Sequence, residues 1–332
     1  MVRSYIDEKY LEHYFRSLLG SERFSEKSNQ LEQIWSFFKS KSDLFFDKEL
    51  SSFLENVDPP LRNVILPLIN QLTTGRQNTI IYQNEKNTFR NLKNINIYSK
   101  LNYPFATFWL GNQYNYTPEK YKENNPYHFL TNENDMDEWK SYSNSRTFYV
   151  NPKKTQHGND ILKSWGQLKR FHHYPHDLII NDKFCLKSDV GIRENIVPIV
   201  ENLSPQVKNF IIFIGIPEPK DRFNLNQTYD LLVSLFKERG LNPNILIFIS
   251  AKTHHDRFIL TNSFLIKSGD SFDYFNAKNT FKTRGTTLSI TPVFNSNKTE
   301  IQEYISLHRE IMRSAHTPYA GTKSKNLLDL FN

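Results

Sequence analysis

The sequence predicts an α/β protein: a helical N-terminal module followed by a domain whose mixed sheet is covered by helices. Two observations predict the second part. Apolar runs of strand length recur, as in NFIIFIGI (209–216) and NILIFIS (244–250). They alternate with segments whose apolar residues fall three and four apart, as in NLNQTYDLLVSLFKERGL and KTEIQEYISLHREIMRSA. Strands that are apolar on both faces need helices on both faces to cover them. A third observation sets the first part aside, because residues 3–72 carry the helical spacing almost alone.

The helical spacing begins with Tyr5, Leu11, Tyr14, Phe15, Leu18 and Leu19, and recurs at Leu31, Ile34, Trp35 and Phe38. Ser42 and Asp43 read as the start of another helix, and Pro59-Pro60 interrupts the pattern before LRNVILPLINQL. The module is therefore expected over 1–75. Residues 76–145 read as a connecting region, with short strands expected at TIIYQ and PFATFWLG and a long polar, aromatic excursion after them. Its acidic cluster, Glu133, Asp135, Asp137 and Glu138, has no fixed ligand spacing and reads as a solvated loop. The α/β domain is expected over 146–316. It runs through RTFYV, two short strands in DLIINDKFCL around a turn at Asn181-Asp182, the helix IRENIVPIVENL, the runs already quoted, and TTLSITPVF. A polar tail, loosely held from Thr317, is expected over 317–332.

The chain of 332 residues has 38% hydrophobic residues, enough for a sizeable core. Its net charge of +7 leans toward anionic partners, nucleic acid among them, and its 17 tyrosines supply rings that stack on bases. One cysteine, Cys185, excludes a disulfide framework and a cysteine zinc cluster, and reads as a buried apolar residue. The N-terminal stretch is charged throughout, unlike a secretory signal, and no run approaches the 18 to 20 apolar residues that span a bilayer. A cytoplasmic protein without a transmembrane segment is expected.

The chemistry concentrates in HHDRFILTN (254–262), directly after an apolar run. Ligands of α/β sheets sit at strand ends. Were 255–262 to continue as a strand, His255 and Arg257 would share a side. An imidazole beside a guanidinium suits a phosphate, which the guanidinium grips with two donors. The plainer alternative is a His-Asp-Arg network tying the loop to the sheet. His254, Lys267, Lys282 and Arg284 extend the cationic set, and Lys278 lies nearby. His173 and His176, three apart beside Asp177, suit a metal-ligand pair or a second phosphate-site histidine; an exposed approach to a strand is the plainer reading. No metal and no cofactor is expected, because no P-loop, dinucleotide or zincin pattern is present.

His255, Arg257, Asn262, Gly269 and Ser271 resemble the signature H-x-K-x4-D-x6-G-S-x-N of the phospholipase D superfamily. The stretch HDRFILTNSFLIKSGDSFDYF is also similar to the degenerate phospholipase D-like domain that follows MIT domains. Arg257 replaces the family's Lys, Asn262 its Asp, and Asp270 stands where the family has Ser. The resemblance implies His255 as nucleophile or acid, Arg257 as phosphate clamp and Asn262 as the residue that orients the imidazole. His254, Lys267, Gly269, Ser271, Lys282 and Arg284 would complete the phosphate site. Arg retains phosphate binding, whereas a neutral Asn cannot stabilise an imidazolium by charge. The expected function is phosphodiester binding, most readily of nucleic acid, in a bacterial defence or mobile-element complex. Two rivals stand beside it. One is an active phosphodiesterase or nuclease, a homodimer with His255 from each subunit. The other is a scaffold that engages a protein partner through the helical module.

Overall fold

The computed structural model describes residues 2–22, 25–46, 50–74, 80–82, 106–111, 128–131, 139, 145–151, 160–171, 177–218, 223–252, 255–283 and 285–323. The chain divides into two compact units, Met1–Ser143 and Asn144–Asn332, and both combine sheet and helix.

The first unit carries the expected helices, α1 (Glu8–Gly20), α2 (Glu26–Ser40), α3 (Leu50–Asn56) and α4 (Pro59–Thr73). It is not all-helical. β1 (Val2–Ile6), β2 (Ser42–Phe46), β3 (Ile80–Tyr82), β4 (Ala106–Leu110) and β5 (His128–Thr131) form a sheet in the order β3-β2-β1-β4-β5. Every pairing in it is parallel. The segment expected to be helical over 1–75 thus shares its unit with strands from the region expected to connect. Tyr5, read as part of a helical face, stacks instead on Phe45 and Phe108 of the neighbouring strands, 4.9 Å from each ring. Ser42 and Asp43 open a strand rather than a helix, because Leu44, Phe45 and Phe46 are all buried in the sheet. Pro59 and Pro60 start α4, where a missing N–H costs nothing, and the Asp58 side chain caps it through Leu61 N–H.

The second unit has an eight-stranded mixed sheet in the order β13-β9-β8-β7-β10-β11-β12-β6. Its strands are β6 (Arg146–Val150), β7 (Asp177–Asn181), β8 (Asn209–Ile214), β9 (Asn244–Ile249), β10 (Arg257–Thr261), β11 (Phe264–Ser268), β12 (Thr286–Pro292) and β13 (Tyr319–Gly321). β7, β8 and β9 are parallel; β10 pairs antiparallel with β7 and β11, and β12 antiparallel with β11 and β6. The longer α-helices described in this unit are α5 (Val197–Leu203), which continues out of a π-helical turn (Ile192–Ile196), α6 (Leu225–Glu238) and α7 (Lys298–Arg313). Phe210, Ile212, Ile245, Ile259 and Ile266 lie on the core side of four strands, packed with Ile196, Val200, Leu232 and Phe236 from the helices.

Two local expectations are corrected here. DLIINDKFCL holds one strand, not two. After β7 the chain turns, and the Asp182 carboxylate fixes the turn by accepting from Phe184 N–H at 2.9 Å. The tail is not loose throughout, since β13 pairs antiparallel with β9 through Tyr319–Phe248, Ala320–Ile247 and Gly321–Leu246. The registers bring the carboxyl ends of β7, β8 and β9 to the same rim as the start of β10 and the end of β11. Such a rim is where loops of an α/β sheet gather a ligand.

Candidate functional site

β10 begins at Arg257, so His255 and Asp256 lie in a bend before the strand and the expected alternation does not reach them. His255 is exposed at the rim. Arg257 is half-buried. One terminal nitrogen approaches the Gly269 carbonyl at 3.5 Å, and its Nε is buried without a hydrogen-bond partner. No carboxylate forms an ion pair with it among the described residues. His254, Arg284, His173 and His176 lie outside the described residues. So do Glu133, Asp135, Asp137 and Glu138 of the acidic cluster.

The motif's other members turn inward. Ser271 donates its hydroxyl to Asp182 Oδ2 at 2.8 Å, and Phe272 N–H donates to the same oxygen at 2.7 Å. Asp182 is fully buried. Burial pushes its carboxyl above the usual range, while the hydrogen bonds from Phe184, Phe272 and Ser271 and the charge of Arg257 pull the other way. One carboxylate thus joins the loop after β7 to the loop after β11, beside the guanidinium. Gly269 N–H donates to Thr287 O at 3.2 Å, which keeps the end of β11 against β12.

Asn262 is placed differently from its implied role. It follows the far end of β10, on the order of 20 Å from His255 by strand rise. Its side-chain oxygen accepts from Asp177 N–H at 3.1 Å, so it secures the start of β7 and does not orient the His255 imidazole. The expected cations are also engaged. Lys267 pairs with Glu300 of α7, and Lys282 contacts both oxygens of Asp273 at 2.7 and 2.9 Å. Asp270 accepts from Thr283 Oγ1 at 3.0 Å. With Asp182, Asp256 and Asp270 also present, the rim is mixed in sign rather than a basic patch.

Several residues that organise the site carried no sequence signal beyond their type. The Tyr304 hydroxyl of α7 lies 3.0 Å from an Asp256 carboxylate oxygen and 2.7 Å from one of Glu300, and shares its one proton between them. Burial, then those two carboxylates, raises its phenol above the ordinary range. Asn181 donates to the Asp256 carbonyl at 2.8 Å, and its side-chain oxygen lies 3.3 Å from His308 Nε2. His308 is completely buried and stacks on Phe213 with centroids 4.0 Å apart, so it is a core histidine and not a second histidine open to a phosphate. Cys185 is buried, and burial first, then the Asp182 charge, pushes its thiol well up. Asp182 had one cue in the sequence, its place directly after an apolar strand. Its lone position in a turn gave no further signal.

No three His, Cys, Asp or Glu side chains are grouped to hold a metal ion among the described residues. None of the described helices is long and apolar enough to cross a membrane.

No family model matches the chain, and no curated protein does. Among solved structures it is similar to phosphatidylserine synthase of Haemophilus influenzae Rd KW20, at 10% identity and a TM-score of 0.32. The match covers 56% of this chain and 43% of that one. A likeness at this score assigns neither a fold family nor a reaction.

Proposed function

We propose that the rim around Arg257 binds a phosphodiester of nucleic acid without cleaving it, on a sheet of phospholipase D-like design. One observation carries this reading: the Arg257 guanidinium stands half-buried at the strand rim with no carboxylate in ion-pair contact among the described residues, while Lys267 and Lys282 are each neutralised. A guanidinium so placed needs an anion, and a phosphate matches its paired donors. Turnover would need a histidine oriented by a charged partner and a second histidine within reach. His255 is exposed, and Asn262 is neutral and at the other end of β10.

Cleavage and retention of single-stranded and duplex DNA and RNA, measured with Arg257→Ala and His255→Ala beside the parent, test the proposal. The expected result is no cleavage, with salt-sensitive binding weakened by Arg257→Ala and little changed by His255→Ala. Cleavage abolished by both substitutions would replace the proposal with an active, dimeric phosphodiesterase. The internal use of Ser271 and Asn262 favours one other reading, a scaffold whose motif only holds strand ends together. On that reading Arg257→Ala leaves nucleic-acid retention unchanged.

A further inference from the structure

We infer that anion binding at Arg257 is coupled to proton uptake by Asp182, the buried carboxylate beside it, so that the rim binds more tightly as pH falls. The inference rests on the phosphodiester reading above and names the group that regulates that site. Asp182 is fully buried, and the two loops that meet at the rim both hold it. Phe184 N–H reaches Oδ1 at 2.9 Å, while the Ser271 hydroxyl and Phe272 N–H reach Oδ2 at 2.8 and 2.7 Å. Oδ2 thus has both lone pairs engaged, and Oδ1 keeps one for a proton. Arg257 and Asp182 address the same short loop. Gly269, whose carbonyl the guanidinium approaches, stands two residues before Ser271.

Burial disfavours the Asp182 anion, and the charge of Arg257 offsets part of that cost. The other ionisable groups nearby add little to the offset. Cys185 in the same loop and Tyr274 after β11 are held neutral by burial. Asp273 bears on Cys185 and Asp270 on Tyr274 as further negative charges, and Lys282 is taken by Asp273. Lys183, next in the chain, extends its ammonium over the Phe184 ring. A phosphate gripped by Arg257 matches the guanidinium and sets a second negative charge near the carboxylate. Asp182 then takes a proton from solvent onto Oδ1. By reciprocity, a protonated Asp182 strengthens anion binding by the same factor. Affinity is therefore highest at pH below the Asp182 pKa of the free protein. It falls as pH rises through that value and levels off above the pKa of the complex.

The test measures binding of labelled oligothymidylate and oligouridylate by the full chain from about pH 5 to about pH 8, a range in which neither base titrates. Asp182→Asn replaces the carboxyl by its neutral isostere. It is expected to bind about tenfold more tightly than the parent at the upper end and to converge with it at the lower end. Titration calorimetry in two buffers of different ionisation heat should find proton uptake in the parent that the variant lacks. Ser271→Ala removes a donor that favours the anion, so it should move the fall in affinity to higher pH. Melting curves show that each variant is folded. The inference is overturned if Asp182→Asn follows the parent at every pH with equal proton uptake. It is overturned as well if the variant binds more weakly throughout, as it would if the carboxylate only shaped the loop. A parent that binds neither oligonucleotide at any pH overturns it together with the Arg257 reading. Arg257→Ala separates the two. Binding lost in Arg257→Ala, with proton uptake equal in the parent and Asp182→Asn, sinks this inference alone, whereas binding that survives Arg257→Ala sinks both.

Discussion

Asp182 shows how one side chain sets conditions for the rim. Its carboxylate is addressed by Phe184 N–H, Phe272 N–H and the Ser271 hydroxyl, yet burial dominates and raises its pKa. The folded chain therefore holds this proton more tightly than the unfolded chain. The stabilising contribution is full below about pH 4, the unfolded value, and is lost as pH rises through the higher folded value. The expected outcome is that the Tm difference between parent and Asp182→Asn shrinks as pH rises from about 4. At neutral pH the variant still costs about 1–3 kcal/mol, since one amide oxygen cannot accept from all three donors. Thermal melting across pH reads both effects, and a flat difference would mean that the carboxyl titrates normally. Asn262→Asp gives a second outcome at this scale. It restores the family's residue type but sets a carboxylate beside the backbone of buried Asp177, so it should lower Tm and leave cleavage absent. Arg257 and His255 stood out in the sequence because four chemically active residues, His254 to Arg257, follow directly on an apolar run. Asn262 was legible as a position and misleading as a role, because spacing along a strand says nothing about which end of it faces a ligand.

Among the elements, β13 makes the sharpest prediction. Its three residues pair with β9 and cover an edge whose neighbours are apolar. Gly321 has φ +103°, and a Cβ there would lie 2.0 Å from the Ile245 carbonyl oxygen. Gly321→Ala must break the pairing, so faster amide exchange at Ile247 and Ile249, whose N–H groups face β13, and concentration-dependent light scattering are expected. Unchanged exchange would show that the edge does not need β13. The π-helical turn is the second such element. Its Asn195 accepts from Trp165 Nε1 at 3.1 Å and Phe275 N–H at 2.9 Å, and donates to Phe275 O and Asp273 Oδ1. Asn195→Ala strands several buried groups and should cost about 3 kcal/mol in a denaturant titration. Neither element was visible in the sequence. β13 is short and flanked by polar residues, and a π turn keeps the helical spacing that surrounds it. β1 and β2 were missed for a related reason, being five-residue strands inside a run of helical periodicity. The long apolar runs that became β8 and β9 left no such ambiguity.

For the molecule as a whole, two facts bear on binding: a second unit with its own core, and a net charge of +7. Every residue of the described core cluster runs from Phe148 to Ile290, inside the second unit. A fragment of residues 144–332 should therefore melt cooperatively by itself and retain the nucleic-acid affinity assigned to the Arg257 rim. Charge spread over a surface also binds nucleic acid, and that contribution falls with salt in the same direction. The slope separates the two. If attraction were diffuse, Arg257→Ala would change log K by a small, nearly salt-independent amount. If the guanidinium grips one phosphate, the variant should lose about one from the slope of log K against log salt, in the full chain and in the fragment alike. A slope that drops in the full chain but not in the fragment would place the phosphate contact outside the 144–332 unit, and the reading of this rim as a phosphate site would fall.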